Sequence, residues 1–336
     1  MSIRIYPGNA EGVGKACKDL QDGQIVALPT ETVYGLAGDA LRENVCRKIF
    51  EVKMRPLVDP LIIHFHDMGQ LYEIAHVPDL LLKLANTFWP GALTVVLKKM
   101  EVVPDLVTAG RDTVAVRMPA FPLMREVLEK SGLFLAAPSA NPFGYVSPTR
   151  ASHVVDSLHD RLGAVLDGGE CQLGLESTIL DLSNPGQPAV LRLGPVGVGE
   201  LEETIGMGIK RKAGVMEELG GTGGLASPGT LAKHYSPNAN LRLFEYGQFP
   251  TDRMGLGSQR KAYVFFKRPP KQTLVGKGTF FWLSEEGELD EAAKNLFELL
   301  RKLDRLGYKT VDLEMAPTGG IGDAINDRLV RAAAIG

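Results

Sequence analysis

Short, continuously apolar runs recur through the first 205 residues, at 25–28, 61–65, 93–97, 114–117, 133–138, 164–167, 177–181 and 189–193. A strand without polar alternation belongs in a sheet covered on both faces. Between these runs, helical spacing predicts helices over about 9–22, 43–51, 78–88, 121–130 and 150–157. Asn44, Pro78 and Pro122 stand where helix starts place such residues. The reading is α/β: a mixed α/β domain on a twisted sheet, spanning 1–205.

The chain then changes character. Residues 206–240 include Gly220-Gly-Thr-Gly-Gly-Leu-Ala-Ser-Pro-Gly229 and Lys233-His-Tyr-Ser-Pro237, a composition that reads as a linker or an active-site lid. A second unit, 241–336, carries strand-like runs at 241–246, 262–266, 279–283 and 311–314. Leu289, Ala292, Ala293, Leu296, Leu299, Leu300, Leu303 and Leu306 hold a 3.6-residue period, and a last helix is expected over 323–334. This alternation predicts a small Rossmann-like α/β domain. At 336 residues the chain is long enough for two cores.

Charge and cysteine use narrow the function. Residues 1–205 carry 18 Lys and Arg against 25 Asp and Glu, for −7, whereas 206–336 carry 19 against 15, for +4. An acidic first half is a poor general surface for nucleic acid, which needs clustered cations. Three cysteines with no Cys-x-x-Cys indicate neither a disulfide framework nor a structural zinc site. No apolar stretch approaches the roughly 18 residues of a membrane helix, and the first residues lack a signal-peptide pattern, so a cytoplasmic setting is expected. Asn9–Ala16 resembles a phosphate-binding loop but lacks its first glycine and closing hydroxyl, and Gly221–Ala226 matches a dinucleotide fingerprint with no strand before it.

The chemistry-bearing residues stand at the ends of apolar strands. Leu28-Pro-Thr-Glu-Thr-Val-Tyr-Gly-Leu-Ala-Gly38 ends one with hydroxyls, a carboxylate and glycines. Then come Lys53-Met-Arg55-Pro-Leu-Val-Asp59, His64, Trp89-Pro-Gly-Ala-Leu-Thr, Thr113-Val-Ala-Val-Arg117, Ala137-Pro-Ser139-Ala-Asn141 with Ser147-Pro-Thr149, Gly174-Leu-Glu-Ser177-Thr178 and Val190-Leu-Arg192-Leu-Gly194. Crevice residues of an open sheet belong at such positions. The set is rich in Lys, Arg and hydroxyls and has no obvious nucleophile. It suits a polyanion and a small zwitterion that are held and oriented rather than attacked. Taken singly, each residue is ordinary: an arginine at a strand end is more often an ion pair, and serines beside prolines are turn residues.

This ordered set resembles the threonylcarbamoyl-AMP synthase family, the YrdC-like proteins, over residues 10–200. Ser227–Pro237 and Gly320–Leu329 resemble the linker and the end of its long, two-domain form. The resemblance implies a YrdC-like sheet and an enzyme that joins L-threonine, bicarbonate and ATP into threonylcarbamoyl-AMP with release of pyrophosphate. Mg²⁺ is carried by the ATP phosphates. A partner transferase then moves the threonylcarbamoyl group to the adenosine beside the anticodon of tRNA. By the same resemblance Lys53, Arg55, Asp59, Thr113, Ser139, Ser147, Arg192 and Tyr235 contact ATP, while Thr32, His64, Arg117 and Ser177 contact threonine. Tyr34 and Leu61 are candidates to wall the threonine methyl. Asp59 departs from the asparagine the resemblance implies, and a carboxylate is unfavourable near a triphosphate. Glu31 reads equally well as structural. Two other readings stand beside this one. The first is an RNA-binding module with a YrdC-like fold. The second is a hydrogenase maturation factor, which calls for acylphosphatase and zinc-finger segments that this sequence lacks.

Overall fold

The computed structural model describes residues 3–211, 235–249, 261–271 and 279–334. Two sheets organise them. The larger has eleven strands in the order Arg4–Pro7, Ala164–Asp167, Val26–Leu28, Gly35–Asp39, Leu135–Ala136, Ile62–His64, Thr113–Arg117, Leu93–Lys98, Thr178–Asp181, Ala189–Arg192 and Lys210–Arg211. Parallel and antiparallel neighbours are mixed, as expected for this α/β class. Each apolar run identified in the sequence supplies one of these strands. Arg4–Pro7, Gly35–Asp39 and Lys210–Arg211 are additional.

The Gly35–Asp39 strand has a local cause. The Thr30 hydroxyl accepts from the amides of Thr32 and Val33 at 3.2 and 3.1 Å and donates to the Val33 carbonyl at 2.6 Å. That turn reverses the chain and lays Gly35–Asp39 antiparallel to Val26–Leu28. The hydroxyl- and glycine-bearing stretch that ends the first apolar run is therefore half turn, half strand. At Gly35 a Cβ would stand 3.1 Å from the Ala137 Cβ, so the missing side chain permits the close approach.

The five predicted helices form as Ala10–Gln21, Glu43–Lys53, Asp79–Phe88, Pro122–Ser131 and Ala151–Leu158. Asn9 caps the first by accepting from the Gly12 amide, and Lys15 pairs with Glu11 on its exposed face, so the phosphate-loop resemblance is void. Met68–Ile74, Asp105–Thr108 and Val198–Ile205 are further helices that the sequence reading did not anticipate.

The smaller sheet is wholly parallel, ordered Asn240–Phe244, Thr310–Glu314, Lys261–Lys267 and Thr279–Ser284, with helices Leu289–Arg305 and Ile321–Ala333. Its apolar core does not stop at its own boundary. Leu296, Phe297 and Leu300 share one cluster with Val33, Val146 and Leu175 from loops of the larger sheet. Gly174 packs so tightly on the Leu289–Arg305 helix that a Cβ there would come within 2.5 Å of the Lys294 backbone.

Candidate functional site

Parallel pairing of Ile62–His64 with Thr113–Arg117 sets His64 beside Arg117 at the carboxyl ends of both strands. There a cavity opens, lined by Thr30, Thr32, Val33, Gly35, Arg55, Ile62, His64, Arg117, Ala137, Pro138, Ser139, Glu176, Ser177, Arg192 and Tyr235. Eight of the twelve sequence-designated residues thus meet in one place: Thr32, Arg55, His64, Arg117, Ser139, Ser177, Arg192 and Tyr235.

Arg117 is buried and held on three sides. Its Nε donates to the Gly91 carbonyl at 3.0 Å, its Nη1 to Thr32 Oγ1 at 2.9 Å, and its Nη2 pairs with Glu31 Oε1 at 2.7 Å. Burial works against a charge on Glu31, but the guanidinium and backbone donors outweigh it and hold the carboxyl below its usual range. For His64 burial dominates, with Arg117 adding to it, and the imidazole is pushed down to about 3. It is neutral at pH 7. Its buried Nδ1 has no hydrogen-bond partner among the described residues.

Opposite lie the other two guanidiniums. Arg192 donates from Nε to the Ser177 carbonyl at 3.0 Å and from Nη2 to Ser177 Oγ at 3.1 Å, and that hydroxyl also meets Thr94 Oγ1 at 2.7 Å. The turn beyond Arg192 passes so close to the neighbouring strand that a Cβ at Gly194 would lie 2.3 Å from the Thr178 amide nitrogen. Arg55 closes its own loop, donating to the carbonyls of Asp59 at 3.0 Å and Pro60 at 2.7 Å and pairing with Asp59 Oδ2 at 2.9 Å. Tyr235, fully buried with φ of 61°, stacks on Phe297 with ring centroids 5.5 Å apart. Lys233 and His234, named with it in the sequence, lie outside the described residues.

Four designated residues do not line the cavity. Thr113 sits at the opposite end of the strand that carries Arg117, paired with Lys98; four residues of strand put it about 13 Å away. Asp59 lies behind Arg55, and burial raises its carboxyl despite the neighbouring cations. Lys53 is buried, and its Nζ donates to the carbonyls of Ser139 and, at 2.6 Å, of Asn141; burial pushes its amine well below the ordinary lysine range. Ser147 is behind the wall too, donating to Glu176 Oε1 at 2.5 Å. Tyr34 and Leu61, the candidates for the methyl wall, do not line the cavity either. Tyr34 turns away, its hydroxyl donating to Gly169 O at 2.7 Å, and Leu61 points into the core while its neighbour Ile62 lines the cavity.

Comparison with known proteins fits this arrangement. A family model described as telomere recombination matches residues 18–194, and one described as the C-terminal domain of threonylcarbamoyl-AMP synthase matches 196–334. The threonylcarbamoyl-AMP synthase of Pyrococcus abyssi is 39% identical over 93% of this chain and 91% of its own. The chain belongs to the threonylcarbamoyl-AMP synthase family. Its relative of that name in Bacillus subtilis is 35% identical over 97% of this chain and 94% of its own. The crystal structure of P. abyssi Sua5 complexed with L-threonine matches with a TM-score of 0.87 and 35% identity, over 99% of this chain and 98% of that one.

Glu176 and Arg328, in and behind the cavity wall, escaped the sequence reading of this family member, which left Glu31 open between a site and a structural role. Glu31 and Glu176 sit inside motifs that were singled out, yet a carboxylate beside an expected polyanion carries no positive signal. Arg328 lies 152 positions from Glu176, but its Nε meets Glu176 Oε2 at 2.9 Å. Only its place in Gly320–Leu329 marked it. Among the described residues no three His, Cys, Asp or Glu side chains gather as a metal site.

Proposed function

We propose that this chain condenses L-threonine, bicarbonate and ATP to threonylcarbamoyl-AMP and pyrophosphate, for a partner enzyme that passes the threonylcarbamoyl group to an anticodon-adjacent adenosine of tRNA. One observation carries the reading: three buried guanidiniums, Arg55, Arg117 and Arg192, converge on a single cavity with hydroxyls between them. Carbamate attack on the α-phosphate brings an anion to a polyanion, so catalysis rests on positive charge and alignment.

In this reading Arg117 offers a carboxylate the guanidinium hydrogens that Gly91, Thr32 and Glu31 leave unused. Neutral His64 supplies an uncharged polar nitrogen beside it. Arg55 and Arg192, with Ser139, take phosphate oxygens, for which the guanidinium fork is well shaped. Lys53, Asp59 and Ser147 act from behind, fixing the Ser139–Asn141 carbonyls, Arg55 and Glu176 respectively. Mg²⁺ enters with the nucleotide, since among the described residues Glu176 alone brings a carboxylate to the cavity, and it is already engaged by Arg328 and Ser147.

The test is pyrophosphate release by the purified protein, together with mass detection of threonylcarbamoyl-AMP. Turnover is expected only when threonine, bicarbonate and MgATP are all present. No release above background, or release that ignores threonine, would overturn the assignment; salt-sensitive RNA binding without ATP would favour the rival reading.

A further inference from the structure

The last helix reaches into the wall of the cavity. Arg328 is fully buried, yet it does not line the cavity itself. Its Nε meets Glu176 Oε2 at 2.9 Å, its Nη2 donates to the Leu193 carbonyl at 2.8 Å, and its guanidinium lies 5.1 Å over the Tyr235 ring. Its Nη1 pairs with Asp327 Oδ2 at 2.6 Å, a carboxylate that Arg331 also engages at 3.1 Å. Counting Glu176, Asp327, Arg328 and Arg331, the cluster is neutral. Every cavity-side contact of Arg328 is to a group beside Arg192, Ser147 or Tyr235, and none is to Thr32, His64 or Arg117.

We propose that Arg328 is a positioning residue for the nucleotide side of the cavity, acting by neutralising the buried Glu176 carboxylate that would otherwise face a triphosphate. The proposal rests on the function given above. Without Arg328, Glu176 keeps only Ser147 as a hydrogen-bond donor among the described residues; Arg192 and Lys53 still act on it through space, but its charge loses its direct cationic partner in a low-dielectric wall where a polyanion must sit. Repulsion of that kind weakens ATP binding and spares threonine. It is also relieved by removing the second charge, which a loss of packing is not.

The experiment is steady-state kinetics on the full chain with MgATP and threonine varied separately, for wild type, Arg328→Met, Arg328→Lys and the double variant Arg328→Met/Glu176→Gln. Thermal melting of each reports folding. Arg328→Met is expected to raise KM for ATP about tenfold while leaving KM for threonine within about threefold. Adding Glu176→Gln is expected to restore KM for ATP by at least about threefold, and Arg328→Lys, which keeps the charge, to stay near wild type. Equal changes in both KM values, or a double variant weaker for ATP than Arg328→Met, would overturn the proposal. Should Arg328→Met not fold, the double variant and Arg328→Lys decide it: a large ATP defect in both would refute charge neutralisation. A wild-type enzyme that makes no pyrophosphate would instead refute the functional reading itself.

Discussion

Replacing Arg117 by methionine isolates the buried ion pair beneath the amino-acid side of the cavity. The side chains of Arg117 and Glu31 are only 4% and 7% exposed, 2.7 Å apart. Methionine approximates the arginine stem but leaves the Glu31 carboxylate buried with no cation, and removing one partner of such a pair costs about 3–5 kcal/mol. With a urea slope of roughly 2–3 kcal/mol per molar, the midpoint falls by about 1–2.5 M at pH 7.5. In the wild type Glu31 has a depressed folded pKa, so the pair contributes stability above the unfolded carboxyl value and loses it as pH falls through the folded one. In the variant, burial, the largest single influence, is opposed only by the backbone donors of Glu31 and Ala120 and raises the folded pKa above the unfolded value. The penalty is then full at high pH and shrinks on acidification as Glu31 takes up a proton. The gap between the two proteins should therefore narrow from pH 7.5 to pH 5. Trp89, packed edge-on against Phe65 at 5.3 Å, reports unfolding of the larger sheet once Trp282, the other tryptophan, is changed to phenylalanine in both proteins. Adding Glu31→Gln should recover more than half of the loss. A gap that is absent at pH 7.5, or the same at both pH values, would refute the electrostatic account.

His64, depressed to about 3, stays neutral while the unfolded chain protonates near 6.5, so between those values it withdraws stability as pH falls. Against His64→Gln, the wild type should lose about 1.4 kcal/mol more per pH unit from pH 6 to pH 4, read by urea titration; parallel curves would contradict the depressed pKa. Thr113→Ala, at the strand end remote from the cavity, should leave kcat and both KM values within about twofold. A selective rise in KM for ATP would restore Thr113 to the nucleotide site.

Much of the larger sheet was legible because its strands are short, apolar and bounded by turn residues, and the pairing register then brings their polar ends together, in parallel for His64 beside Arg117 and in antiparallel for Arg192 beside the start of the Thr178–Asp181 strand, where Ser177 stands. That is why Arg55, His64, Arg117, Ser139, Ser177 and Arg192 converge as their sequence positions suggested. Depth behind that edge was not legible. Lys53 and Asp59 share a motif with Arg55, yet the left-handed turn at Met54, φ 53°, and the ring of bonds from Arg55 to 59–60 set Arg55 forward and the other two back. Thr113 and Arg117 share one strand, and only the pairing register tells which end faces the cavity. Leu61 and Ile62 were separated by the alternation of a strand, a distinction a wholly apolar run conceals.

The contribution of the C-terminal half was the least legible part, because it acts by contacts far apart in sequence. Arg301, on the Leu289–Arg305 helix, donates to the carbonyls of Val146 and Ser147 and, at 2.9 Å, to Ser157 Oγ. Tyr145 lies under the same guanidinium and donates to Asp304 at 3.0 Å. Glu298 pairs with His153 at 2.7 Å, and that hydrogen bond, against the cost of burial, holds its carboxyl down to about 2. Phe297 supports Tyr235, and Arg328 supports Glu176. Apart from those to His153 and Ser157 on the Ala151–Leu158 helix, each contact ends on a segment that carries or backs a residue of the cavity: 145–147, 176, 193 and 235. Buried cations satisfied by backbone carbonyls cost too much to assemble unless the segments they hold must stay fixed. The second sheet therefore acts as a scaffold for one wall of the site, and a sequence divided at residue 205 separates that wall from its support.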